Sequence, residues 1–168
     1  MTDESRASKD EERLERIAGM AGKARQKVRG EIRKAQKLIK NLQGDLESHG
    51  DPDRWKLYGD LLLANVHSAT RTGDTISVTN YFDEAQPRID IEGDANSSLS
   101  EVAEGYFRRY AKARNARTII AERIAAAEHL LNVGEAKIAK IDLAVQEGVE
   151  SYLIDLTAPR HQFVQRPT

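Results

Sequence analysis

The chain contains no cysteine, which removes disulfides and thiolate metal sites and fits a reducing compartment. Tryptophan occurs once, aromatic residues make up 5% and hydrophobic residues 39%, too little for a thick globular core in 168 residues, so an extended architecture is expected. No apolar run approaches the ~18 residues of a membrane span, and the opening MTDESRASKDEERLER has no apolar signal core, so a soluble cytoplasmic protein without membrane contact is expected. The phosphate-cradling GxxxxGK[ST] and GxGxxG loops and the GxSxG nucleophile turn are all missing. The four histidines, His49, His67, His129 and His161, stand far apart with no HExxH-like spacing. No catalytic residue, cofactor or metal is therefore assigned, and the chain is expected not to be an enzyme.

Proline is rare too, and its distribution is informative. None lies between Lys9 and Ser48 or between residues 100 and 158. In the first of these stretches Leu14, Ile17, Ala21, Ala24, Val28, Glu31 or Ile32, Ala35, Leu38, Leu42 and Leu46 recur in steps of three and four. In the second, Ala103, Tyr106, Tyr110, Ala113, Arg117, Ile120, Ile124, Ala127, Leu131, Gly134, Ile138, Ile141 and Val145 do the same. Each is a heptad seam that one partner helix would cover, which predicts a long antiparallel two-helix coiled coil of helices 9–48 and 100–157. Gly19, Gly22 and Gly30 would weaken the first helix; Gly134 and Gly148 are the weak points of the second. Gly50 and Pro52 end the first helix, and Ser98 with Glu101 forms a capping box for the second.

Between them, residues 51–99 read as a small tip domain. Trp55, Tyr58, Leu62 and Val66 predict a helix over 53–70, started by Asp51 or Asp53. Period-two alternation predicts a β-hairpin over 75–92, turning at Asp83–Gln86. The expected fold is thus mainly α with a minor α+β part, and residues 158–168 are expected to form a disordered tail.

The net charge of −1 conceals a segregation. Residues 23–40 carry Lys23, Arg25, Lys27, Arg29, Arg33, Lys34, Lys37 and Lys40 against Glu31 alone, whereas residues 51–101 hold ten acids and four bases. Arg108, Arg109, Lys112 and Arg114 begin a second basic stretch, and in a hairpin residues 23–40 are expected to lie opposite 108–125. A coiled coil that needs only solubility interleaves both signs. A one-signed band suits the phosphate backbone of a folded RNA.

Three motifs, in order and spacing, closely resemble the middle region of the NFACT family: Arg54-Trp-Lys-Leu-Tyr-Gly-Asp-Leu-Leu-Leu-Ala-Asn65, Val78-Thr-Asn-Tyr-Phe-Asp83 and Ala103-Glu-Gly-Tyr-Phe-Arg-Arg-Tyr-Ala-Lys-Ala113. The resemblance covers about residues 20–145. Its members include the RqcH-like, historically fibronectin-binding protein A-like, and NEMF-related factors. It implies a coiled-coil and M-domain module of a ribosome-associated quality control factor acting on obstructed large ribosomal subunits. The basic stalk would contact ribosomal RNA, and the tip, with Tyr81, Asp83 and Glu84, the stalk-base protein. In that family alanyl-tRNA recruitment and alanine tailing belong to whole proteins; the N-terminal Asp-Arg pair and the C-terminal RNA-binding domain are expected to be missing here, so tRNA would be reached only through those domains. Leu99 and Val102 replace the family's usual return-loop residues. The chain would be an excised piece or a stand-alone relative, and its oligomeric state is left open. Two other readings remain from the residues alone: a structural or protein-interaction spacer, and the adhesin role in the family's older name.

Overall fold

A computed structural model describes residues 2–158. The chain is mainly helical: α1 Asp3–His49, α2 Pro52–Ala64, β1 Thr70–Thr72, β2 Thr75–Thr79, β3 Arg88–Glu92, α3 Leu99–Glu147 and α4 Ser151–Thr157. It divides into two compact units, one holding the residues up to Ile39 and from Ala125 onward, the other Lys40–Ile124.

In the first unit the α1 residues Ile17, Ala21, Ala24 and Val28 are buried against Ile141 and Ala144 of α3. Small alanines let the two backbones approach. Gly134 takes this furthest, since a Cβ there would stand 2.6 Å from Ile32 Cγ1. The run is antiparallel, fixed by Arg16–Glu150 at 2.7 Å, Arg25–Asp142 at 2.7 Å and Lys137–Glu31 at 3.7 Å. Leu14 and Leu38, placed on the seam by their spacing, are instead 57% and 39% exposed.

The single helix expected over 100–157 is two helices. At Gly148, φ is +67°, and the Val149 N–H donates to Ala144 O at 2.9 Å while that of Gly148 reaches Val145 O at 3.3 Å. This double closure satisfies the last carbonyls of α3 and turns the chain away. Helix α4 then packs Leu153 into the same cluster, with Tyr152 and Leu156 beside it. Burying one leucine is worth about 1.5–3 kcal/mol, enough to favour the return of so short a helix. The tail expected over 158–168 lies outside the described residues except for Ala158.

The second unit is organised around α2 and the first turns of α3. Gly50, at φ +69°, ends α1; Asp51 accepts the Asp53 N–H at 3.0 Å and Pro52 starts α2. Leu61 and Leu62 pack with Ile76, Val78, Ile91, Val102, Ala103 and Tyr106. Helices α2 and α3 meet where Gly59 faces Phe107, whose ring a Cβ would approach to 2.7 Å.

Helix 53–70 is corrected: α2 stops at Ala64, and the backbone of Asn65 begins a turn. Residues 70–72 are strand, giving a three-stranded antiparallel sheet in the order β1-β2-β3 rather than a lone hairpin. Gly73, at φ +58°, makes the two-residue β1–β2 turn, with Thr72 opposite Thr75. Across β2 and β3, Ile76 faces Ile91 and Val78 faces Ile89.

Candidate nucleic-acid interface

The basic residues of α1 sort by helix face. Ala21, Ala24, Val28 and Ala35 point to the buried side. At 100° per residue Lys23, Arg33, Lys37 and Lys40 fall on the opposite side, with Arg29 and Lys34 at its borders, and all six are exposed. Among the described residues none of them has a carboxylate within 4.0 Å. The other two are engaged: Arg25 donates twice to Asp142 Oδ1, at 3.0 and 2.7 Å, and Lys27 Nζ donates to Leu156 O at 3.3 Å. The stripe is therefore narrower than the sequence count. Gly19, Gly22 and Gly30, read as weak points, leave α1 unbroken and have open space where a Cβ would stand.

The expected coincidence with the second basic stretch does not hold. Contacts at 25–142 and 31–137 set residues 23–39 opposite about 128–144, where Glu128, Glu135 and Asp142 mix with Lys137 and Lys140. In the second unit Ala113 and Arg117 border a shallow depression with Leu46, Glu47, Gly50, Asp51 and Pro52. The offset has a physical cause. The first two turns of α3 contribute Val102, Ala103 and Tyr106 to the core formed with α2 and the sheet, so they are not available to α1 and its partners lie further along α3.

Arg108, Arg109, Lys112 and Arg114 are exposed, and two of them lie on aromatic rings. The Arg109 guanidinium carbon is 3.9 Å from the Trp55 ring centroid and that of Arg114 is 5.3 Å from Tyr110. Burial pushes the Tyr106 hydroxyl above its ordinary range, with Arg109 acting in the opposite sense, and the hydroxyl donates to Glu92 O.

Tyr81, Asp83 and Glu84 stand together on the exposed loop between β2 and β3. The loop is closed by Asn80 N–H to Pro87 O at 2.9 Å and shaped by Asn80 and Asp83 side chains, which accept from Phe82 N at 3.1 Å and Ala85 N at 3.0 Å. Phe82, 69% exposed beside Tyr81 at 49%, was not singled out from the sequence. Nor was Asn65, which is fully buried and ties α2 to β2. Its Nδ2 donates to Leu61 O at 2.8 Å and Thr79 O at 3.1 Å, while its Oδ1 accepts from Thr79 N and Ser68 Oγ at 3.2 Å. A buried asparagine is invisible to hydrophobic patterning. Arg71 is a further organiser, donating to Ser97 O at 2.6 Å and to Asp94 O in the return loop.

Of the histidines, His49 ends α1, His67 lies in the turn after α2, His129 is exposed on α3, and His161 lies outside the described residues. No helix among the described residues is long and apolar enough to cross a membrane.

Residues 8–157 match the family model described as NFACT N-terminal and middle domains. The Bacillus subtilis protein named Rqc2 homolog RqcH is 31% identical over 138 residues, covering 82% of this chain and 23% of the relative. Its namesake from Streptococcus suis is 24% identical over 150 residues, covering 84% of this chain and 27% of the relative. The chain thus spans about a quarter of the length of the curated relatives it matches. With the family model matching most of its length and an RqcH relative covering four-fifths of it, the chain belongs to the NFACT/RqcH family.

Proposed function

We propose that this chain is a non-catalytic, cytoplasmic ribosome- and RNA-binding module of an RqcH-like quality control factor, with α1 and α3 serving as an antiparallel coiled-coil arm and residues 51–99 as its M-type tip. The observation that carries this reading is the stripe Lys23, Arg33, Lys37 and Lys40, bordered by Arg29 and Lys34: exposed, of one sign, and without carboxylate neighbours among the described residues. Ammonium and guanidinium groups held on one helix face release counterions when phosphates replace them, giving affinity without base reading. The exposed Tyr81, Phe82, Asp83 and Glu84 supply a different chemistry, aromatic and acidic, suited to a basic ribosomal protein. Large-subunit engagement fits both faces. Alanyl-tRNA recruitment and alanine tailing are assigned to whole RqcH-like proteins, not to these residues.

The test is co-sedimentation with isolated large ribosomal subunits over a salt series, against Arg33→Glu/Lys37→Glu/Lys40→Glu. Binding that falls steeply with salt, and a slope reduced by about 2–3 in the variant, is the expected outcome. Equal binding by both proteins refutes the stripe. A second reading, a protein-interaction spacer, is favoured by an open depression in the first unit, lined by the apolar Ala35, Leu38, Leu130, Val133 and Gly134 together with Glu31, Lys34 and Lys137. Dimers in sedimentation equilibrium, without subunit binding, would select it.

A further inference from the structure

The second unit gathers four cations on aromatic rings. Arg109 sits 3.9 Å over Trp55 and 5.5 Å over Tyr106; Arg54 sits 5.4 Å over Tyr58 and donates Nε to its hydroxyl at 2.9 Å. Lys56 and Arg114 flank Tyr110 at 6.0 and 5.3 Å. The rings themselves are locked together, with Trp55 stacked on Tyr106 at 5.9 Å and Tyr58 edge-on to both, at 6.2 and 5.5 Å. Among the described residues none of the four cations has a carboxylate within 4.0 Å, although residues 51–101 are predominantly acidic.

An aromatic partner differs from a carboxylate in one decisive respect. It orients the cation without neutralising it or occupying its N–H donors. Arg54 uses only its Nε–H on Tyr58, and Arg109 has no hydrogen-bond acceptor among the described residues, so both guanidinium planes keep free edges able to meet a phosphate in the bidentate mode. Holding them on a packed ring deck also lowers the ordering cost of binding.

We propose that Arg54 and Arg109, backed by Trp55, Tyr58 and Tyr106 and extended by Lys56 and Arg114, form a phosphate-clamping site for folded RNA on the tip domain, separate from the α1 stripe. RNA is favoured over an acidic peptide because the cations are spread as single charges along two helices, Arg54 and Lys56 on α2 and Arg109 and Arg114 on α3. Arg109 and Arg114 alone are about 7.5 Å apart along α3 at 1.5 Å per residue. Such an array follows a phosphodiester strand, and the guanidinium planes stack on unpaired bases equally well. The choice of RNA rests on the proposed function; the geometry of the site does not.

Trp55 is the chain's single tryptophan, so the site carries its own reporter. The experiment is a titration of the full chain with a short fluorescein-labelled RNA hairpin across a salt series, reading anisotropy and, with unlabelled hairpin, Trp55 emission. Proteins compared are wild type, Arg54→Gln/Arg109→Gln, Arg109→Lys and the α1 variant Arg33→Glu/Lys37→Glu/Lys40→Glu. Near-ultraviolet circular dichroism confirms that each keeps its packed rings. The expected results are an RNA-dependent change in Trp55 emission, a loss of affinity of about tenfold or more in the double glutamine variant, and a salt slope lower by about 1.5–2. Arg109→Lys retains charge and loses the fork, so it falls between. Poly-glutamate at equal charge should not reproduce the emission change; if it does, the site is an acidic-peptide site and the RNA assignment is overturned. If the α1 variant loses binding while the glutamine variant matches wild type with unchanged Trp55 emission, this site is refuted and the stripe stands. The converse pattern retains this site and removes the stripe. Absence of hairpin binding at low salt refutes both.

Discussion

Asn65 offers the sharpest test of how the second unit is built. Replacing it with alanine leaves the Thr79 N–H and C=O at the end of β2 without the amide that pairs them at 3.2 and 3.1 Å. Leu61 O keeps the Asn65 backbone N–H at 3.0 Å, so it is not orphaned. Each buried polar group left unpaired costs about 1–3 kcal/mol, and because Thr79 is only partly buried the two together should cost about 2–4 kcal/mol. For a chain of this size that corresponds to a fall in Tm of roughly 5–15 °C. Urea unfolding followed by Trp55 fluorescence reports on this unit directly. Asn65→Asp separates the donors from the acceptors: it can still accept from Thr79 N and Ser68 Oγ but turns a carboxylate toward two carbonyl oxygens. It should cost as much as alanine at neutral pH and recover in acid, since burial beside carbonyls favours its protonated form in the folded state. The Tyr81–Glu84 loop begins directly after Thr79, so chymotrypsin should cut it faster in both variants. A loss below about 1 kcal/mol for Asn65→Ala would refute the reasoning, because water would then have replaced the amide without penalty.

Two other predictions bear on the helices and on pH. Gly30→Ala, facing open space on α1, should stabilise the chain by about 0.8–1 kcal/mol, whereas Gly134→Ala should destabilise it by about 1–3 kcal/mol because the new Cβ meets Ile32 at 2.6 Å; urea midpoints of the same sign for both would contradict the packing described. Burial raises the Tyr106 hydroxyl above the ordinary value of about 10. The folded state therefore holds its proton where the unfolded state has lost it, so this stabilisation is complete below about pH 10 and disappears as pH rises through the folded value. Between pH 9 and 11.5 the stability of wild type should decline more steeply than that of Tyr106→Phe, and parallel declines would show that Tyr106 is not the group responsible.

The amino-acid order alone determined the helical segments and most of what they bury. Prolines are missing where the two long helices run, and the three–four spacing marks Ile17, Ala21, Ala24, Val28, Ala103, Ala113, Ala127 and Ile141, all buried. The signal survives without tertiary information because each position repeats the same local requirement, a small or apolar side chain on one face. Three motifs in fixed order likewise made the family legible. Spacing could not reveal where α3 ceases to serve α2 and the sheet and begins to pair with α1. Ala103 and Tyr106 have the same three-residue spacing as Ile138 and Ile141 but different partners, and that difference sets residues 23–39 against about 128–144 rather than 108–125. Nor could charge counting tell Lys37, open to solvent, from Arg25, held by Asp142 117 residues away, or show that Arg109 rests on Trp55. The sequence determines which side chains a helix presents. Which of them remain free to bind is a property of contacts made across the chain, and only the tertiary structure decides it.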